Sequence, residues 1–397
     1  MTIELTEYGL LRILCIGEVH EVSVIWHQEK KKGRDMTMKL NKKPISLLLA
    51  AAMTLSLAAC GGSGSSSTAT TAAPAAGAAE TTAAAAEAAP ASGKAEYEIN
   101  IGHINDERDS WHQGALKFKE YVEKESGGRI AVNVYPNSTL GTEVDMIQSI
   151  LTQGGCDITF TGESMQTYQP DLGIIGMPYL IKSDAHMEAV LTGEVGAELE
   201  ALMDKCGMKV LGYYTRGPRN VTANKKITSP ADMNNFVIRT PQSAMTVAAF
   251  EAVGAKPTPM ALAEVFTSLQ QGTIEGQENP LAMIQNSSFY EVQDYVIRTE
   301  HLRAWVYIAM GKAQFEALPA DLQEVVVKGG QEMQAYEHEL FLKNEAELEK
   351  TLTEEGMEFV DVDQNEFAEA MTKGVLEVLT DSQKALYEKI AAANPDA

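Results

Sequence analysis

The chain predicts an α/β protein of two lobes, with a ligand cleft between them and long helices at the C-terminal end. Three observations carry this. Short apolar, strand-like runs alternate with amphipathic helical stretches, the pattern of open sheets covered by helices. The folded part starts near residue 95 and is roughly 300 residues long, a length that usually divides into two lobes. Residues 322–350 and 364–393 place apolar side chains at helical spacing among many Glu/Lys pairs.

Taken in order, 97–103 reads as a strand. Ser110 is placed to cap a helix running to Glu125, with Leu116, Phe118 and Val122 apolar and Gly127-Gly128 as its stop. Residues 130–135 form a strand closed by Pro136-Asn137-Ser138. Residues 142–153 are amphipathic, with Met146, Ile147, Ile150 and Leu151 on one face. A buried strand is expected over 157–161, a helix over 185–205 and a strand over 208–214. In the second half, 235–240 is a strand and 243–253 a helix stopped by Gly254. Residues 261–271 are a helix closed by Gly272, and 290–299 lead to a strand near 305–310.

The region before residue 95 has a different character. Lys39, Lys42 and Lys43 precede an apolar run over 45–57, which ends Leu57-Ala58-Ala59-Cys60-Gly61. Basic flank, short apolar core and small residues before the cut describe a secretory signal over 36–59. The run is too short for a membrane span. Leu-Ala-Ala-Cys resembles the bacterial lipobox, which implies lipidation of Cys60 and attachment to the membrane through that anchor. Residues 60–95 are almost wholly Gly, Ser, Thr, Ala and Pro after the Cys, a flexible tether. Residues 1–35 precede the basic flank, and Lys31-Lys32-Gly33-Arg34-Asp35 is what an A/G-rich ribosome-binding sequence would spell in translation. They are expected to be an upstream extension without a fold of their own, the start lying at Met36 or Met38.

Residues 1–59 hold eight Lys/Arg and six Asp/Glu, a net of +2, so with −23 overall the remainder is near −25. A surface this acidic argues against nucleic acid as a partner. It also makes a basic site for an anion more notable, since that site works against the background field. Of the four cysteines, Cys156 and Cys206 fall in the folded part. A bridge between them is compatible with export; two separate buried thiols are the expectation.

Two arginines and an asparagine mark the candidate site. Arg219, Arg239 and Asn279 lie in the phrases GPRNVTANKKI (217–227), FVIRTP (236–241) and EGQENP (275–280). A guanidinium fork grips a carboxylate through two parallel hydrogen bonds. An asparagine offers a donor and an acceptor to one ligand. No cofactor, metal or catalytic motif accompanies them. There is no GxGxxG after a strand, no GxxxxGK[ST], no HExxH and no G-x-S-x-G. Glu143 and Glu163 could form an acid/base pair, but nothing sets a nucleophile beside them. The plain alternatives are a surface charge at 143 and a helix cap at 163. The chain therefore reads as a binding protein rather than an enzyme.

Much of the folded part resembles the solute-binding subunits of TRAP transporters, the tripartite ATP-independent periplasmic carriers. The resemblance runs from about 97 to 345. It rests on YPNSTLGTEVDMI (135–147), GPRNVTAN (217–224), SPADM (229–233), VIRTP (237–241), GAKPTPMALAEVFTSLQQGTIEGQENP (254–280), FYEVQDYV (289–296) and LPADLQEVV (318–326). It implies a periplasmic-binding-protein-like fold, with one lobe from 95–216 and 305–344 and the other from 217–304 and 345–397. By the same resemblance, Arg239 matches the arginine that forms the main salt bridge to the substrate carboxylate. Arg219 matches a second arginine near it, and Asn279, within QENP, the asparagine that braces it. Glu143 and Glu163 match acidic positions that receive hydroxyls or amines; Gln242 and Glu278 complete the candidate set.

The resemblance points to the branch with sialic-acid and hexuronate binders. Sialic-acid binders keep an aromatic where this chain has Leu262 and Asn where it has Gln242, and Ile104 stands where their Asn is expected. A smaller sugar acid such as a hexuronate fits these changes better; sialic acid and C4-dicarboxylates are the alternatives. Trp111 and His103 are candidates either for the pocket or for the core. The function implied is an extracytoplasmic, lipid-anchored monomer that catches a small organic anion and hands it to a TRAP membrane permease. The alternative is a ligand sensor docking on a membrane receptor.

Overall fold

A computed structural model describes residues 2–5, 11–15, 18–22 and 95–395 of the protein. They fall in two units, parted between Ala83 and Ala84. In the first unit, β1 (Thr2–Leu5), β2 (Leu11–Cys15) and β3 (Glu18–Val22) form an antiparallel three-stranded sheet. These strands lie within residues 1–35, the stretch expected to be an upstream extension. The expected signal, Cys60 and most of the tether lie outside the described residues.

The second unit holds two mixed sheets. Its strands are β4 (Tyr97–Gly102), β5 (Ile130–Tyr135), β6 (Ile158–Thr161), β7 (Met208–Thr215), β8 (Arg219–Ala223), β9 (Val237–Thr240), β10 (Lys256–Pro259), β11 (Gly276–Pro280), β12 (Tyr295–Leu302), β13 (Trp305–Gly311) and β14 (Glu358–Val360). One sheet has the order β5-β4-β6-β13-β7, the other β10-β9-β11-β8-β12-β14. The helices are α1 (Ser110–Glu125), α2 (Glu143–Leu151), α3 (Asp184–Thr192), α4 (Glu194–Lys205), α5 (Ala244–Ala252), α6 (Val265–Gln270), α7 (Leu281–Asn286), α8 (Lys312–Glu316), α9 (Ala320–Glu354), α10 (Gln364–Val378) and α11 (Asp381–Ala392). The protein is thus α/β and two-lobed, with long helices at its C-terminal end. Among the described residues no helix is long and apolar enough to cross a membrane.

Local chemistry explains where elements begin and break. The side chain of Asp109, not Ser110, caps α1, accepting from the Trp111 amide at 2.9 Å. Ala115, Phe118 and Val122 are buried on its inner face, while Leu116 is exposed. Thr142 and Asp145 form a capping box that starts α2. The single helix expected over 185–205 is broken at Gly193, whose backbone is extended. The one expected over 364–393 stops at Leu379, and Thr380 with Gln383 caps α11 anew. Strands β8, β10, β11, β12 and β14 have no counterpart in the sequence reading. Two prolines keep β10 at a sheet edge, where missing donors do no harm.

The chain passes between the sheets at 216–218 and again at 303–304. These segments run side by side, because Trp305 pairs with Thr215 on one side and Leu302 with Arg219 on the other. Gly217 sits in the first with φ +59°, and a Cβ there would lie 2.2 Å from an Oε atom of Glu345. Helix α9 is the third link: it packs on α1 and β7, touches α7 and leads to β14. The final helix departs from the expected grouping of 345–397 with the second lobe. Gln383 Nε2 donates to the Pro170 carbonyl at 2.9 Å, and Lys389 pairs with Glu198 at 2.6 Å, so α11 lies on the first half of the chain.

Candidate functional site

Arg239 is the residue around which the site is built. It lies in β9, next to Gln277 of β11, and is only 4% exposed. Its Nε and Nη2 donate to one backbone carbonyl, that of Met260, at 3.0 and 2.7 Å. Among the described residues it has no carboxylate partner. Burial brings its pKa down to about 10, and Arg219 adds to the fall, against the pull of Glu278, Glu143 and Glu163. A buried guanidinium with donors to spare and no counter-ion is costly to the free protein unless an anion completes it.

The pocket in front of Arg239 is lined from both halves of the chain. Ile104, Ser138, Thr142, Glu143, Val144 and Ser164 come from one side, and Pro241, Gln242 and 260–263 from the other. Glu143, in the first turn of α2, accepts from Thr161 Oγ1 at 2.7 Å and from the Gly162 amide at 3.2 Å. Burial raises its pKa, and the neighbouring Glu163 charge adds to the rise. Gln242 is exposed and uses its carbonyl to accept from Gln166 Nε2 at 2.8 Å.

Three of the candidates form a layer behind the pocket. Arg219 Nη2 donates to Glu278 Oε1 at 2.7 Å, to the Glu278 carbonyl at 2.8 Å and to Asn279 Oδ1 at 2.9 Å, while its Nε donates to Glu278 Oε2. His301 Nε2 lies 3.0 Å from Glu278 Oε2 and its Nδ1 2.9 Å from Thr299 Oγ1. Burial alone would raise the Glu278 pKa, but Arg219 and then His301 outweigh it and hold it at about 2. Since that carboxylate only accepts, the Nε2 of His301 carries the proton. The fork of Arg219 is filled by Glu278, and Glu278 is fully enclosed with both oxygens engaged, so neither side chain opens onto the pocket as a free ligand group. Asn279 braces Arg219, and its Nδ2 donates to Gln277 Oε1 at 2.6 Å.

Glu163 opens the 3-10 turn after β6 and is buried. Its partner is Arg216, whose Nη2 donates to Glu163 Oε1. Burial works to raise the Glu163 pKa, but Arg216 and Arg219 prevail and hold it low. Sequence reasoning missed Arg216 and His301. Arg216 was in view, three residues ahead of Arg219 in the phrase Thr215-Arg216-Gly217-Pro218-Arg219. His301 gave no such signal. His103 is fully buried and stacks on Phe160, while Trp111 packs in the core cluster of Phe160 and also lines a small cavity beside Arg216. Cys156 and Cys206 are free thiols, the first buried and the second only partly so. Among the described residues no cluster of His, Cys, Asp or Glu is arranged to hold a metal ion.

Known proteins give this geometry a context. Residues 101–381 match the DctP model, described as bacterial extracellular solute-binding protein, family 7. A solute-binding protein of Roseobacter denitrificans is 40% identical over 304 residues, spanning 76% of this chain and 93% of that one. The 2,3-diketo-L-gulonate-binding periplasmic protein of Escherichia coli is 31% identical over 287 residues, 72% of this chain and 87% of its own. The crystal structure of a TRAP periplasmic solute-binding protein from Roseobacter denitrificans with bound L-galactonate superimposes with a TM-score of 0.73. It shares 39% identity and covers 75% of this chain and 99% of that one. One from Sulfitobacter with bound β-D-galacturonate gives 0.68 at 29% identity, covering 75% and 96%.

Proposed function

The chain belongs to the DctP family of bacterial extracellular solute-binding proteins, and from that premise we propose that its ligand is a sugar acid, an aldonate or hexuronate, gripped by Arg239 through the carboxylate. As a member of that family it serves transport and is not an enzyme. The observation that carries the ligand assignment is the buried guanidinium of Arg239, which pairs with no carboxylate among the described residues and faces a pocket lined from both lobes. Hydroxyl-accepting groups stand nearby in Glu143, Ser138 and Ser164, as a polyol tail requires. Leu262 and Gln242 line the same pocket and support a six-carbon acid over a bulkier sialic acid.

Arg219, Glu278 and Asn279 act in this reading as the rigid frame that fixes strand β11 beside Arg239. The loaded protein delivers its ligand to a TRAP membrane permease and works as a monomer outside the cytoplasm, tethered through lipidated Cys60. A thermal-shift screen with galactonate, gulonate, galacturonate, glucuronate, N-acetylneuraminate and succinate tests the ligand class. A ligand at a hundredfold excess over its Kd adds about 2.7 kcal/mol. No shift with any of the four sugar acids refutes the assignment.

A further inference from the structure

Resting on the reading that a sugar acid seats on Arg239, we propose that Gln166 is a positioning residue for that ligand: its side-chain amide fastens the two walls of the pocket to each other and so sets how long the ligand stays, without touching it. The amide bridges the lobes. Its Nε2 donates to the Glu163 carbonyl at 3.0 Å within its own 3-10 turn, and to the Gln242 carbonyl at 2.8 Å on the other lobe. Its Oε1 accepts from the Ala244 amide at 3.0 Å. Both hydrogens and the carbonyl oxygen of the side chain are engaged. Ala244 opens α5, and the first amides of a helix have no partner inside it. Ser243 satisfies one of them from its own chain, by accepting from Thr246, and Gln166 satisfies another from the opposite lobe.

The positions of these partners tie the contact to the ligand. Ser164, two residues before Gln166, lines the Arg239 pocket from one lobe, and Gln242, three residues after Arg239, lines it from the other. Gln166 itself lines the adjoining hollow, with Ser243, Ala244 and Met245. The two backbones come close here because Gly176 has no side chain: a Cβ on it would lie 2.8 Å from Ser243 Oγ and 3.3 Å from Glu163 Cγ. Parting the walls to admit or release a ligand separates Ser164 from Gln242, and with them Gln166 from both of its partners across the cleft. The contact belongs to the form in which the walls stand together. A ligand meets the walls before they join, so losing the contact falls on release and not on capture. Two ordinary hydrogen bonds between neutral groups correspond to roughly five- to hundredfold in an equilibrium constant.

The test is stopped-flow tryptophan fluorescence on the full chain, with calorimetric titration for Kd, using whichever of galactonate, gulonate and galacturonate binds wild type most tightly. Gln166→Met keeps the length of the side chain and removes its hydrogen bonds. Ala244→Pro removes the amide hydrogen on the opposite side. Proline is at home at the first helical position, and the preceding Ser243 already has the extended backbone that proline demands, φ −125° and ψ 116°. Gln166→Met should raise koff at least about tenfold and leave kon within about threefold of wild type. Ala244→Pro should raise koff at least about threefold, and the double variant should release no faster than Gln166→Met, because that bond is already gone. The urea midpoint without ligand should hold in each variant, and because each side of the contact has its own variant, misfolding of one leaves the other to decide. A koff within about threefold of wild type in folded Gln166→Met, or fully additive effects in the double variant, overturns the inference and leaves the sugar-acid reading standing. A lowered urea midpoint with unchanged koff makes Gln166 a structural residue and overturns it as well. Binding of none of the three acids to wild type removes the sugar-acid reading, and this inference with it.

Discussion

Replacing Arg239 by Met should separate binding from stability, and in opposite directions. In the complex, truncating one partner of a desolvated charge pair costs about 2–5 kcal/mol. That corresponds to a Kd raised from about thirtyfold to several thousandfold. In the free protein the guanidinium is a burden: burial brings its pKa down to about 10, a fall worth about 3 kcal/mol at neutral pH. The sign follows from linkage. A base whose folded pKa is lowered disfavours folding at every pH below that folded value, and the penalty fades only as pH climbs past it. Losing the two hydrogen bonds to the Met260 carbonyl offsets part of the relief, by about 1–3 kcal/mol. Arg239→Met should thus leave the ligand-free protein within about 1 kcal/mol of wild type, or above it. Arg219→Met should lose about 3–5 kcal/mol, because it strands the buried Glu278. Urea unfolding without ligand, paired with calorimetric titration of galactonate, measures both. Unchanged galactonate affinity in Arg239→Met would refute the clamp, and a loss of stability as large as that of Arg219→Met would show Arg239 to be structural.

Three further outcomes are expected. Glu278, held at about 2, contributes stability above the ordinary carboxylate range that is lost as pH falls towards 2; the acid limb of a urea-monitored pH profile should flatten in Glu278→Gln, which is also less stable at pH 7. Glu337 in α9 behaves in the reverse sense. Burial, aided by Asp109, pushes it up to about 8, and its Oε2 has no partner. Stability should therefore fall by about 1.4 kcal/mol per pH unit from the ordinary carboxylate range up to pH 8, and Glu337→Gln should abolish that slope; a slope identical to wild type would contradict the assignment. Finally, small-angle scattering should report a smaller radius of gyration when galactonate saturates the protein, and an unchanged radius would indicate a preformed rigid pocket.

The parts of the site legible in the sequence were those that local patterns carry. Arg239 stood out as a guanidinium fork able to grip a carboxylate, and Asn279 as an amide that offers a donor and an acceptor to one ligand. The roles within the set were less visible. Whether an arginine is free or spent depends on which carboxylate shares its cavity. Arg219 meets Glu278 across an antiparallel pair of strands, where Pro280 stands opposite Arg219 and Asn279 opposite Asn220. No spacing rule within one segment reveals that pairing. Arg216 and His301 were missed for the same reason, since their partners lie 53 and 23 residues away. The fold shows a matching pattern. The amphipathic helix α2 was readable from its apolar period, and α5 from the Gly254 that stops it. Strand β8, all of whose residues are buried, lacked the alternation that marks a strand with one wet face.

Arg216 lies where the chain first passes between the two sheets. It sits at the start of the first crossover, one residue before the positive-φ Gly217, and directly beside the second crossover at 303–304. A rotation at Gly217 would leave Arg216 and Glu163 together, since both lie before it in the chain and pair with each other. A ligand shifts the balance between open and closed forms only by as much as it prefers one of them. Here the preference has a source, because Arg239 and Gln242 approach from one lobe while Glu143 and Ser164 approach from the other. In the proposed reading, a closed form is what brings the carboxylate clamp and the hydroxyl acceptors together. Closure also removes water from the clamp, which strengthens the contact between Arg239 and its anion. The two lobes therefore close most favourably on an acid long enough to reach both walls, and a carboxylate without a hydroxylated tail should bind to the clamp and leave the hinge open.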